Sequence, residues 1–224
     1  MPTDNATNEL QSKNISSQRR VAQLTLRRMA TFDYLKRLFL GKGYHMGTVA
    51  IPMRVLAKIY STPQMKKRSG QLFQLGLGIG KLLRIADSAE FGKAFDALLS
   101  EFDVAIGDSP SKQKNSLFSR LNKTFGDQQL NNDGLSAYGL LEIVQLPFEL
   151  DFIETYITLC EILVLSYSKL LPARGSDCPD SHFECVHRLD LKIKKHIIHS
   201  VIREINGAAK LILEEQFHAL ANGE

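Results

Sequence analysis

Apolar residues recur at steps of three and four along most of this chain, the spacing that lines one face of an α-helix. Val21, Leu24, Phe32, Leu35 and Phe39 predict a first helix ending near Leu40, with Ser16 or Ser17 as its cap. The residues before it carry no such period and predict a flexible tail over 1–14. From Gly41 to Gly47 a turn is expected, because glycines at both ends favour conformations closed to other residues. Pro52 suits the first turn of a short helix through Tyr60, and Thr62-Pro63 opens another toward Ile85. Asp87, with Glu90 three residues on, has the form of a capping box. It predicts a helix to about Val104 that buries Phe91, Phe95, Leu98, Leu99 and Phe102.

The pattern lapses between about 107 and 134, where Ser, Asn, Gln, Lys, Asp and Gly dominate; this stretch predicts a polar loop with one short amphipathic turn, Leu117 to Phe125. Pro147 is expected to start the most apolar helix, which ends before Pro172. Phe148, Phe152, Tyr156, Leu159, Leu163 and Tyr167 form one face, and Ile153, Ile157, Ile162, Val164 and Leu165 cover much of the rest. A helix apolar nearly all round belongs in the middle of a bundle. Asp180 or Ser181 should cap a last helix reaching about Leu220, with a stripe at Val186, Leu189, Ile193, Ile197, Val201, Ile205, Ala208 and Ile212. A second row, Leu191, Ile198, Ile202, Ala209 and Leu213, widens it; unbroken, this helix spans ~60 Å. Strand candidates are short: Thr48 to Ile51 and Leu140 to Gln145. The expected fold is all-α, a single helical bundle of five to seven helices with a long C-terminal helix. After the tail at 1–14, residues 15–224 are expected to form one helical domain containing the polar insertion at about 107–134.

Composition agrees with a globular chain: 224 residues, 44% hydrophobic and 23% charged, are enough to bury a sizeable core. No run of about 18 apolar residues is present, so no membrane-spanning helix is expected. The polar, acid-containing first residues read as neither a secretory signal nor a transit peptide. Three cysteines, an odd number, argue against a disulfide scaffold and for a reducing compartment: cytoplasm, with the nucleus left open.

Several chemistries fail on spacing. Gly76-Leu-Gly-Ile-Gly-Lys81 is not a P-loop, since Leu75 stands where its first glycine belongs and Leu82 where its hydroxyl belongs. It is not a dinucleotide fingerprint either, because Lys81 replaces the third glycine. Gly76 and Gly80, four apart, predict a close helix crossing instead. Cys178, His182, Cys185 and His187 have the composition of a zinc site but no recognised zinc spacing. Two ExxH pairs, Glu184 to His187 and Glu215 to His218, lie on one predicted helix ~46 Å apart, so they meet at one metal pair only if it breaks near Asn206-Gly207. Ser166 to Lys169 matches SxxK without its companion elements. No catalytic motif and no cofactor is called from the sequence, which leans away from an enzyme; a site converging from distant residues stays open.

The net charge of +4 is concentrated. Residues 1–70 hold 13 Lys+Arg against 3 Asp+Glu, while each of the two later thirds balances at −3. Arg19, Arg20, Arg27, Arg28, Lys36, Arg37 and Lys42 lie on or beside the first helix, and Arg54, Lys58, Lys66, Lys67 and Arg68 continue the sign. This face is either simply solvated or docks to an acidic protein or anionic lipid. Nucleic acid is disfavoured, because no groove-reading or stacking element accompanies the charge and the Phe residues are needed for the core. In the polar loop Ser109, Ser116 and Ser119 are candidate phosphorylation positions; the alternative is a solvated insertion. The leading expectation is a non-catalytic helical interaction module, a subunit or adaptor of an intracellular assembly with a protein partner. The alternatives are a peripheral binder of anionic membrane surfaces through the basic first helix, and a metal-binding protein or enzyme with a site outside known motifs.

Overall fold

The computed structural model describes residues 3–106, 139–142, 144, 146–172 and 178–222, with side chains from Asn14 onward. Six helices and one small hairpin make up the described residues. They are α1 (Thr3–Phe39), α2 (Met53–Tyr60), α3 (Pro63–Leu82), α4 (Ser88–Ile106), α5 (Phe152–Lys169) and α6. The last comprises Asp180–Ile193, a π-helical turn Lys194–Ile198, and His199–Asn222, an unbroken rod of 43 residues. The chain is therefore all-α, a helical bundle with a long C-terminal helix. Among the described residues no helix is long and apolar enough to cross a membrane.

Helix starts follow the local chemistry closely where a side chain can cap. Thr62 accepts the Met65 N–H, and Asp87 accepts the Glu90 N–H at 2.8 Å. Three starts differ from expectation. Helix α1 begins at Thr3 and runs through the segment expected as a tail, since that segment contains neither glycine nor an internal proline to stop it. Ser17 is thus no cap: it is buried in mid-helix and bonds the Asp180 carboxylate. Helix α5 starts at Phe152 rather than Pro147, because Asp151 accepts the Glu154 N–H at 2.9 Å and ends the irregular approach. Phe148, read as part of that helix's face, stands exposed before it. In α6 the cap position belongs to Pro179, and the Asp180 carboxylate turns instead to α1.

The packing is set by one continuous core. Phe32, Leu35 and Phe39 of α1, Leu72, Leu75 and Ile79 of α3, Phe95 and Leu98 of α4, and the inner stripe of α6 form one cluster with the buried face of α5, which packs mainly on α1 and α3 while α6 packs on α4 and α1. An aromatic cluster closes one end, with Tyr60 stacked on Phe152 at 4.4 Å and Phe39 against Tyr156 at 4.9 Å. The expected tight crossing lies one turn-face away from where the glycine spacing placed it. A Cβ on Gly78 would sit 2.9 Å from Leu98 Cδ1, whereas Gly80 faces open space. Gly76 meets α5 in ordinary contact, 3.6 Å from Ile162.

The π turn has a sequence cause. From Leu189 to Ile205 the stripe advances in four consecutive steps of four residues, each outrunning an α-turn of about 3.6 residues by ~40°. A wider turn at 194–198 takes up much of that drift, so Ile193, Ile197, Val201 and Ile205 all remain buried.

Of the two strand candidates, Thr48 to Ile51 contributes Val49–Ala50, paired antiparallel with Tyr44–His45. The three-residue connection between them, Met46 to Thr48, places Met46 at φ 50 and Gly47 at φ 73, both in the left-handed region that tight hairpin turns use. Leu140 to Gln145 forms no strand among its described residues. The polar insertion, with Ser109, Ser116, Ser119 and the Leu117 to Phe125 turn, lies outside the described residues.

Candidate functional site

The basic residues singled out from the sequence divide into two populations. Arg28, on the buried side of α1, reaches α6: its Nε lies 2.6 Å from Asp190 Oδ1 and its Nη2 2.9 Å from Oδ2. The Tyr167 hydroxyl of α5 donates to the same carboxylate at 2.8 Å. Burial opposes the Arg28 charge, but the bidentate carboxylate outweighs it and moves the guanidinium's pKa upward. Burial, reinforced by Asp190, pushes the Tyr167 phenol far above its ordinary range, so it stays a hydrogen-bond donor. Arg28 is therefore an internal clamp across three helices and not part of an acidic-partner surface.

Other cations are also occupied. Arg20 pairs with Asp180 at 2.7 Å and lies over the Phe183 ring. Lys36 stands 3.5 Å from Glu161, Lys66 pairs with Glu149, and Arg68 bonds Glu204 and Ser200 while covering Phe152. The remaining predicted cations, Arg19, Arg27, Arg37, Lys42, Arg54, Lys58 and Lys67, are exposed with no ion pair among the described residues. Those that pair do so because neighbouring elements bring acids to them, which linear charge counting does not register.

The Cys/His group is not assembled. His182 is buried and donates through Nε2 to the Leu170 carbonyl at 3.1 Å, while exposed His187 stacks on Phe183. Cys178 is buried with its backbone N–H on Asn14, and Cys185 packs toward Gly92. Burial raises both thiol pKa values, away from the thiolate that binds metal or attacks a substrate. Among the described residues no three His, Cys, Asp or Glu converge on a point that could hold a metal ion. The two ExxH pairs stay apart because α6 continues through Asn206-Gly207. Ser166 of the SxxK match is buried and donates to the Ile162 carbonyl, the posture of a helical serine back-bonding its own turn.

A site the motifs did not point to lies where the hairpin meets α6. His45 is buried between Tyr34 and Asn206: its Nδ1 is 2.9 Å from the Tyr34 hydroxyl and its Nε2 2.7 Å from Asn206 Oδ1. The amide oxygen can only accept, so Nε2 is the donor to Asn206, and Nδ1 is the partner of the Tyr34 hydroxyl. This relay pins the hairpin to both helices. Beside it an open groove of about 340 Å³ is lined by Met46, Val49, Ala209, Leu213 and Phe217, with Lys210 and Glu214 at its edge. Along and past the groove α6 keeps apolar side chains in water: Leu211, Phe217 at 67% and Leu220 at 76% exposure. The turn signal at Gly41 to Gly47 was visible in the sequence, but its partner on α6 is about 160 residues away and carries no local mark.

Compared with protein-family models, curated proteins and solved structures, the chain matches none.

Proposed function

We propose that this chain is a non-catalytic helical interaction module, a subunit or adaptor of a larger protein assembly, docking through the free end of α6. The observation that carries the reading is the run of Leu213, Phe217 and Leu220 at steps of four and three, leading outward from the groove beside the hairpin. A helix that keeps its apolar stripe after leaving its own bundle suits a helix-in-groove or short coiled-coil contact. Glu214 and Glu215 flank the stripe, so the complementary element is an amphipathic helix with Lys or Arg beside its apolar face. Three unpaired, buried thiols fit a reducing, cytoplasmic setting for such an assembly.

A photo-crosslinking side chain at Phe217 of the full chain, expressed in its native cells, tests this. The expected result is one protein adduct other than the chain itself, absent when the same group replaces exposed Ala97 of α4. Equal yields at the two positions, or no adduct at Phe217, overturn the reading.

A further inference from the structure

We infer that the corner where α1 runs into the hairpin and α2 is a docking surface for an anionic lipid bilayer. Between Tyr34 and Ala86 the chain contains no Asp or Glu and ten Lys or Arg. Ion pairs with other segments account for Lys36, Lys66, Arg68 and Lys81. Arg37, Lys42, Arg54 and Lys58 are exposed with no ion pair among the described residues, and the backbone draws them together. The Lys42 N–H bonds the Arg37 carbonyl at 2.9 Å. Gly41, in left-handed conformation at φ 67, packs against Met53, and Arg54 and Lys58 follow on successive turns of α2.

Four large apolar side chains are exposed within the same stretch of chain, residues 40–53: Leu40, Met53, Tyr44 at 62% exposure and Met46 at 80%. Met46 is held at the tip by the left-handed turn and by the buried His45 relay beneath it, so its projection is a built feature. Leu40 just after α1, Tyr44 in the hairpin and Met53 at the start of α2 stand outside the groove beside α6. Separate apolar protrusions ringed by cations offer a partner protein no shared cleft to fill. A fluid headgroup region accepts them singly, with Tyr at the interface and the Lys and Arg heads on anionic lipids. Nucleic acid would be met by the cations alone, leaving Leu40, Met46 and Met53 in water without a stacking role. Met46 borders both surfaces, but Arg54 and Lys58 lie outside the groove lining, so the charge variants below leave the free end of α6 untouched.

The test uses the full chain and flotation with vesicles of phosphatidylcholine alone or with about a third phosphatidylserine. Binding is expected only to the anionic vesicles, weakening as salt rises. Arg54→Glu with Lys58→Glu should weaken it about tenfold or more, whereas Arg84→Glu with Lys93→Glu, an equal change in net charge away from the corner, should leave it nearly unchanged. All four side chains are exposed, and circular dichroism checks that both variants keep the helical fold. An environment-sensitive dye on Met46→Cys should shift to the blue with anionic vesicles, the native thiols being buried. Equal loss in the two charge variants, no binding at low salt, or an unshifted dye overturns the assignment. So does duplex DNA that removes the chain from vesicles at equal charge, which would place the surface with nucleic acids.

Discussion

The two ends of α6 are written in the same alphabet and live in different surroundings. From Val186 to Ala208 its apolar stripe is buried, the first part against α1 and α4 and the last part beside the hairpin, while Leu211, Leu213, Phe217 and Leu220 remain exposed. The inner half also carries Asp190 and Glu204, each met by an arginine from another helix. The outer half carries Glu214 and Glu215, and among the described residues Glu214 pairs with Lys210 of its own helix, 3.6 Å away. Hydrophobic periodicity marks a face that wants covering; it does not say whether this chain or another molecule provides the cover.

The largest expected effect comes from the inner half. Asp190→Ala leaves the Arg28 guanidinium buried without its counter-charge and should cost about 3–5 kcal/mol, read from urea unfolding. The double variant Arg28→Met with Asp190→Leu should recover most of that loss; a double variant no better than the single one would show that the pair is not the source. Next, Ile197→Ala, at a fully buried position, should cost about 2–5 kcal/mol, while Leu211→Ala stays within about 0.5 kcal/mol. Equal costs would mean that the outer half is covered within the monomer, and the comparison would fail.

Glycines sharpen it at a smaller scale. Gly78→Ala forces a methyl group onto Leu98 and should destabilise by about 1–3 kcal/mol. Gly207→Ala, with open space around it in the same helix as the groove, should stabilise by about 0.5–1 kcal/mol. A destabilising Gly207→Ala would reveal a contact on that face.

The smallest effect is on pH. Burial lowers the pKa of His196, against the pull of Asp103 at 3.0 Å, and the side chain stands edge-on to Phe102. A folded-state value below the unfolded one means that the neutral ring's contribution is complete above about 6.5 and is lost as pH falls through the folded value. The urea midpoint should therefore drop on going from pH 7 to the range just below 6, and His196→Leu should flatten that drop. Asp96 adds a second, more acidic decline. Burial opposes its charge, but Lys192 and Arg188 prevail and hold its pKa low, so its contribution is lost as pH falls below the ordinary carboxylate range.

Much of the fold was readable in order. The three- and four-residue steps placed all six helices, and Asp87 and Thr62 marked their starts because capping is a contact between residues three apart. The five residues expected inside α4 are all buried. What misled was equally local: Pro147 can open a helix, but Asp151 supplies the better cap, and a segment without a stripe can still be helical if nothing in it breaks the turn. The candidate surfaces were half legible. Adjacent arginines, Arg27 and Arg28, look alike in a charge count, yet one faces water and the other Asp190.

By itself, then, the sequence determined the helices, their apolar faces, the excess of positive charge in the first third and the absence of acids from Tyr34 to Ala86, all of which are local or additive properties. Only the tertiary structure decided which cations are neutralised, that the Cys/His group stays dispersed, that Gly78 rather than Gly80 makes the close crossing, and that His45 fastens the hairpin to Asn206. Each of those depends on pairs of residues far apart in the chain, and distance in space between such pairs is set by packing, which no local pattern encodes.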